Sequence, residues 1–147
     1  MKISFFVPGK AAPGGSKKGF VHRHTGRVII TDDAKGNRDW KSRVAVFAKE
    51  AYQGEPLKGP LEVEFAFYVP WLKGHFGTGR NAGRLKANAP RWPVVRPDTT
   101  KLIRSTEDAL KGICWADDAQ IVRQTGIKEY GTLTGVRITI WTMEDDR

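Results

Sequence analysis

The sequence predicts an α+β fold, a single domain over residues 1–147 in which helices pack on a mixed β-sheet. Three observations carry this. Leu61, Val63, Phe65, Phe67 and Val69 alternate with Glu62, Glu64, Ala66 and Tyr68, the period of a strand with one face in a core. Trp40, Val44, Phe47, Ala48 and Ala51 recur at steps of three and four, the period of a helix with one apolar stripe. The 147 residues include five Trp, seven Phe and three Tyr, enough apolar area for one core but not for a second independent one.

The elements follow in order. Ile3, Phe5 and Val7 alternate with Lys2, Ser4 and Phe6, a first strand that stops at Pro8-Gly9. Residues 9–19 are loop by composition. Residues 20–24 and 27–31 flank Thr25-Gly26 and read as a hairpin. Asp32 or Asp33 is placed to cap a helix over about 34–52, which Gly54-Glu55-Pro56 ends. Residues 61–69 are the clearest strand. A long connection rich in Gly, Pro, Arg and Lys, 70–97, leads to a second helix over about 99–111, with Gly112 as its stop. Leu102, Thr106, Ala109, Leu110 and Ile113 form its core face. Residues 121–130 and 135–143 then read as two antiparallel strands around 131–134.

The net charge is +9, and its distribution is uneven. Residues 1–30 hold six basic side chains and no acid; residues 71–104 hold eight, with Asp98 as the one acid. Concentrated blocks of this kind neutralise phosphates and release counterions, so nucleic acid is the favoured partner. Lys17, Lys18, Arg23, Arg27, Arg80, Arg84, Lys86, Arg91 and Arg96 are the candidate DNA contacts. The connection 70–97 reads as a DNA-contacting arm, and its lack of apolar pattern makes it the segment expected to move most. The single cysteine, Cys114, lies between Ile113 and Trp115 and reads as a core residue, which excludes an internal disulfide or cysteine-based zinc site. The N-terminal apolar run is too short for a signal peptide, and no stretch approaches a membrane span. The expectation is a cytoplasmic protein with no membrane partner.

Nuclease chemistry with a hard cation needs carboxylate oxygens on a surface that phosphate can reach. Asp98 qualifies, although an N-cap role alone would also explain it. Asp117 and Asp118 are adjacent acids whose repulsion a cation would relieve, or else a solvated turn. Spacing alone does not bring them to Asp98, because the second helix intervenes. Thr100, Arg104, Glu107, Asp108 and Lys111 share the helix side opposite Leu102 and Ala109. Arg104 is placed either to hold a phosphate or to pair with Asp108. His22, His24 and His75 lack metal-ligand spacing, and no phosphate-binding glycine motif is present.

Two short segments carry a family resemblance. Arg96, Asp98, Thr100, Lys101, Leu102, Arg104 and Asp108-Ala109-Leu110 are followed by Trp115, Asp117, Asp118, Gln120 and Val122. In these residues, and in the order of its elements, the chain resembles the RusA-type Holliday junction resolvases. The resemblance implies a RusA-like fold and a homodimer that cuts four-way or branched DNA by paired phosphodiester hydrolysis. It implies Mg²⁺, with Mn²⁺ as a substitute, held by Asp98, Asp117 and Asp118. Asp98 and Asp118 match the family's metal-binding carboxylates, and Arg104 matches a catalytic lysine position. Arg104 and Lys101 would offset charge on the phosphoryl oxygens. Thr100 stands where the family has a second aspartate, and Lys101 where it has asparagine. Thr100 and Asp108 are therefore candidate supports to the metal ligands. A bacterial cell or a phage-infected host is the implied setting. The competing reading is a structure-selective DNA-binding protein with a degraded metal site; it accounts for the charge and for Thr100 but leaves the three aspartates without a role.

Overall fold

The structure is a computed structural model that describes residues 1–14, 17–21, 23–32 and 34–144, apart from the side chains of 17–20, 28–32, 34 and 35. Its elements in chain order are β1 (Lys2–Pro8), β2 (Lys17–Val21), β3 (Val28–Asp32), α1 (Ala34–Ala51), β4 (Leu61–Val69), α2 (Thr99–Leu110), β5 (Ile121–Tyr130) and β6 (Gly135–Thr142). Four strands form one mixed sheet in the order β1-β6-β4-β5, and β2 pairs with β3 in a separate antiparallel ribbon. The fold is α+β, as the sequence patterning predicts.

The alternating residues do what their spacing implies. Ile3, Phe5 and Val7 of β1, Leu61, Val63, Phe65 and Phe67 of β4, and Val136, Ile138 and Ile140 of β6 are buried in one core with Trp40, Val44 and Ala48 of α1 and Leu102 and Leu110 of α2. Each such Val, Leu, Ile or Phe side chain contributes about 1.5–3 kcal/mol by leaving water. α1 packs on β1, α2 on β5, and the two helices pack on each other. In that helix–helix seam, Trp40 Nε1 donates to Thr106 Oγ1 at 3.1 Å, so the indole N–H is buried with its bond made.

Two local expectations are corrected. The segments 121–130 and 135–143 run in opposite directions but are not neighbours: β4 lies between β5 and β6. β6 pairs antiparallel with β1 and β4, and β5 pairs parallel with β4. The reason is burial. β6 buries Val136, Ile138, Thr139 and Ile140, so it belongs inside the sheet. β5 carries Arg123, Gln124, Thr125 and Lys128 and is largely exposed, which suits an edge. The short link 131–134 crosses the end of β4, where Gly131 N donates to Val69 O at 3.0 Å and Gly9 N donates to Thr134 O at 3.1 Å. The second correction is the hairpin, whose strands are 17–21 and 28–32 rather than 20–24 and 27–31. Its turn is longer than two residues, and Gly26 supplies the positive φ of +68° within it. The capping role expected of Asp32 or Asp33 lies outside the described residues.

The parallel pairing of β4 and β5 positions the chemistry. Parallel neighbours cannot be joined by a tight turn and need a crossover, usually through a helix. Here the crossover is residues 70–120, so the basic arm, α2 and the Asp117-Asp118 pair are one excursion from the sheet. α2 lies close on β5 because Gly126 has no side chain: a Cβ there would fall 2.5 Å from Ile103 Cδ1 and 3.2 Å from Thr99 Cγ2.

The arm has a hydrogen-bonded frame of its own. Gly77 N donates to Arg84 O at 2.9 Å and Lys86 N to His75 O at 2.8 Å. Trp71 stacks on Tyr130 at 4.8 Å between ring centroids, with His75 edge-on to both. At the far end, Lys128 Nζ donates to Val95 O at 2.6 Å and to Pro97 O at 2.9 Å, pinning β5 to the segment before Asp98.

Candidate active site

Asp98 occupies the N-cap position of α2, and its backbone carbonyl accepts from the N–H groups of Lys101 and Leu102, both at 3.1 Å. Its side chain makes no capping hydrogen bond and is exposed. An aspartate at this position would normally bind the first free N–H groups of the helix. Capping by the side chain therefore does not account for Asp98 here, and its oxygens are open to a cation or to solvent.

Thr100 and Arg104 are exposed further along α2, and Arg104 forms no ion pair among the described residues. Asp108 is paired with Lys41 of α1 at 3.5 Å rather than with Arg104. That surface pair contributes little to stability, but it leaves the Arg104 guanidinium uncommitted. Lys101 is half-buried, and its carbonyl accepts from Gly14 N at 2.8 Å, so the first turn of α2 is tied to the N-terminal loop. Ser105 Oγ donates to Ala12 O at 2.6 Å and reinforces the same tie.

The second group of carboxylates lies beyond the other end of α2. Asp118 Oδ1 accepts from Nε1 of the buried Trp115 at 2.7 Å. Asp117 Oδ1 accepts from Ala119 N at 2.9 Å, which fixes it at the start of the short 3-10 turn Asp118–Gln120. Gln120 holds this turn to the body of the protein: its Nε2 donates to Leu57 O at 2.8 Å and Gly59 O at 3.0 Å, and its Oε1 accepts from Asp117 N at 2.9 Å.

Glu107 joins this group, and sequence reasoning did not single it out as a site residue. Burial raises its pKa from 4.5 to about 6, the Asp118 carboxylate adds to the rise, a hydrogen bond from Gln124 opposes it, and Asp108 contributes a smaller rise. The signal was available in part, since Glu107 shares a helix side with Thr100 and Arg104. Its proximity to Asp118 depends on how the crossover folds back.

The structure thus brings Glu107 to Asp118 and leaves Asp98 at the opposite end of α2. Nine residues of helical rise separate Asp98 from Glu107 by about 14 Å along the axis. Among the described residues, no group of three His, Cys, Asp or Glu side chains is close enough to hold a metal ion. The donors present are nevertheless the right kind. Mg²⁺ takes oxygen ligands, often only one or two from carboxylates, and completes its shell with water and substrate phosphate. The half-buried Glu107 carboxylate beside Asp118 is a like-charge arrangement that a divalent cation would relieve.

The basic candidates are spread around this helix. Arg80, Arg84 and Lys86 are exposed on the arm, and Arg23 and Arg27 are exposed in the β2–β3 turn. Arg91 is partly neutralised by Glu129 at 3.3 Å and lies over the Trp92 ring at 4.5 Å. The side chains of Lys17 and Lys18, and His22, fall outside the described residues. Arg96 lines an open groove of 830 Å³ with Lys10, Arg43 and Asp39. Neither Lys10 nor Arg43 was singled out from sequence. Cys114 is buried, and that burial pushes its thiol up to about 11, which fits a core residue rather than a nucleophile. Among the described residues, no helix is long and apolar enough to cross a membrane.

Two comparisons bear on this arrangement. The chain is 25% identical over 138 residues to the uncharacterized protein YqaN of Bacillus subtilis (strain 168), covering 94% of each chain. The family described as endodeoxyribonuclease RusA matches residues 8–141, a span that includes β2 to β5, the arm, α2 and all three aspartates. With nearly the whole fold and every candidate carboxylate inside that match, the chain belongs to the RusA family of endodeoxyribonucleases.

Proposed function

We propose that this endodeoxyribonuclease resolves four-way (Holliday) or branched DNA junctions by metal-dependent phosphodiester hydrolysis, acting as a homodimer in the cytoplasm. The observation that carries the proposal is the set of polar groups along and just beyond α2: Asp98 without a capping bond, Arg104 without an ion pair among the described residues, and Asp118, oriented by Trp115, near the half-buried Glu107. In a DNA-cutting family, an exposed helix side with carboxylates at each end and a guanidinium between them suits a phosphate substrate. Asp98, Asp117 and Asp118 are the proposed ligands of one or two Mg²⁺ ions, for which Mn²⁺ can substitute. With Asp98 at the far end of α2 from Asp118, the two ends would hold separate ions, and Glu107 is a neighbouring carboxylate for the one at Asp118. A bound divalent ion would lower the pKa of a water and stabilise the departing oxygen.

The chain's own residues supply the rest. Trp115 fixes the orientation of Asp118. Arg104 and Lys101 offset charge on the phosphoryl oxygens. The single domain, 1–147, presents the arm 70–97 so that Arg80, Arg84 and Lys86 meet DNA backbone. Thr100 leaves one fewer carboxylate than the family pattern, which argues for a higher Mg²⁺ requirement.

A labelled four-way junction, incubated with Mg²⁺ or with EDTA, tests the reading. Wild type should make paired nicks only with the metal. Asp98→Asn and Asp118→Asn should bind the junction at least as tightly as wild type but not cut it. Binding without cleavage by wild type would favour the degraded-site reading, which the wide separation of the carboxylates also suits.

A further inference from the structure

We propose that the groove between the N-terminal loop and α1 is a second DNA-backbone site, in which Lys10, Arg43 and Arg96 bind consecutive phosphates of the strand that leads to Asp98. This rests on the reading that the protein binds DNA, and it adds Lys10 and Arg43, far in sequence from the arm, to Arg96 at the arm's end.

The groove is built. It has a volume of 830 Å³, and its walls are the loop at Gly9–Pro13, the α1 residues Asp39, Trp40 and Arg43, and Arg96-Pro97. Its floor is tied to both helices: Asn37 Nδ2 donates to Pro13 O at 2.7 Å, and Ser105 Oγ donates to Ala12 O at 2.6 Å. The Arg43 side chain lies close over Gly9, in space that a Cβ would occupy: one on Gly9 would lie 2.9 Å from Arg43 Cδ and 3.1 Å from Nε. Gly9 has a φ of +126°, which glycine tolerates and other residues rarely adopt.

The charge of the groove points to an anion. Three cations face one acid, Asp39, and none of Lys10, Arg43 or Arg96 forms an ion pair among the described residues. Among the described residues, the loop N–H groups of Lys10, Ala11 and Ala12 donate to no backbone acceptor. Backbone N–H groups beside Arg and Lys are the usual partners of phosphate oxygens. Arg96 sits two residues before Asp98, and Lys10 and Arg96 also line the adjoining cleft of 130 Å³ under the arm. Arg96 thus joins the groove to the cleft at the base of the arm and, two residues on, to Asp98.

The test is the salt dependence of binding, measured in EDTA so that cleavage plays no part, on a four-way junction and on a linear duplex. Lys10→Gln and Arg43→Gln should each make the log–log slope shallower by about 0.9, the loss of one phosphate contact. Arg43→Lys should keep the wild-type slope, and Arg38→Gln and Lys49→Gln, on exposed parts of α1 outside the groove, should leave it unchanged. A wild-type slope in the Lys10→Gln, Arg43→Gln double variant, folded by circular dichroism, overturns the proposal. If that result accompanies normal Mg²⁺-dependent cleavage by wild type, only the groove assignment fails. If the slopes fall as expected while wild type cuts no junction, the groove stands and the nuclease reading fails.

Discussion

Trp115 Nε1 donates to Asp118 Oδ1 at 2.7 Å from a fully buried indole, so one member of the Asp-Asp pair is oriented by the core. Trp115→Phe keeps most of the buried volume and removes the donor. Loss of a partner that orients a metal ligand typically costs 10- to 100-fold in metal affinity or activity. The expected outcome is a rise of that order in the Mg²⁺ concentration for half-maximal junction cleavage, with junction affinity in EDTA unchanged. A Mg²⁺ titration at saturating enzyme measures it; an unchanged midpoint would mean that Asp118 does not act through this bond.

Glu107 gives a pH signature in the metal-free protein. Its folded pKa is raised to about 6 from 4.5, so between those values the folded state keeps a proton that the unfolded chain releases. Stability therefore falls as pH rises from about 4.5 to 6, and the loss is complete above that window. Glu107→Gln abolishes this titration and can keep the bond to Gln124. Urea unfolding in EDTA should find the variant gaining on wild type as pH is raised through the window, with a constant gap at higher pH. A gap that does not move with pH would contradict the burial of Glu107, the main cause of its raised pKa, to which Asp118 adds.

Gly126 sets the distance between α2 and β5. Gly126→Ala puts a methyl 2.5 Å from Ile103 Cδ1 and 3.2 Å from Thr99 Cγ2; the end of the Ile103 side chain can turn aside, so the cost falls at the low end of the about 1–3 kcal/mol typical of overpacking. Denaturant midpoints should fall accordingly, and Ile103→Val, which removes the clashing methyl, should recover part of the loss. No destabilisation by Gly126→Ala, and no further gain from Ile103→Val, would show that α2 does not press on β5 at this position.

Thr100 stands exposed in the first turn of α2, two residues past Asp98. Thr100→Asp adds an anion near both the proposed metal ligand and the positive end of the helix dipole. The dipole alone is worth about 0.3–1 kcal/mol of stability. If the position faces the metal, the Mg²⁺ midpoint for cleavage should fall as well. A stability gain with no change in midpoint or maximal rate would place Thr100 away from the reaction and break its alignment with the family's second aspartate.

The sequence by itself determined the local elements and the chemical inventory. Alternation in β1 and β4 and helical spacing in α1 and α2 were legible because each element meets the core with one face, and its period records that face. Asp98, Asp117, Asp118 and the basic arm were legible because charge patterning and the family motif are local in the chain. Tertiary structure alone decided how the strands pair, and from that which carboxylates meet. A strand's period says which face is buried but not which neighbour its backbone bonds to, so β5 and β6 resembled a hairpin although β4 lies between them. The polar makeup of β5 was the sequence's one hint of an edge position. Once β5 pairs parallel with β4, the crossover must fold α2 back along it. That return sets Glu107 beside Asp118, leaves Asp98 a helix length away, and brings Arg96 to Lys10 and Arg43. These pairings join residues eleven to eighty-six positions apart, where no local period carries information and only packing decides.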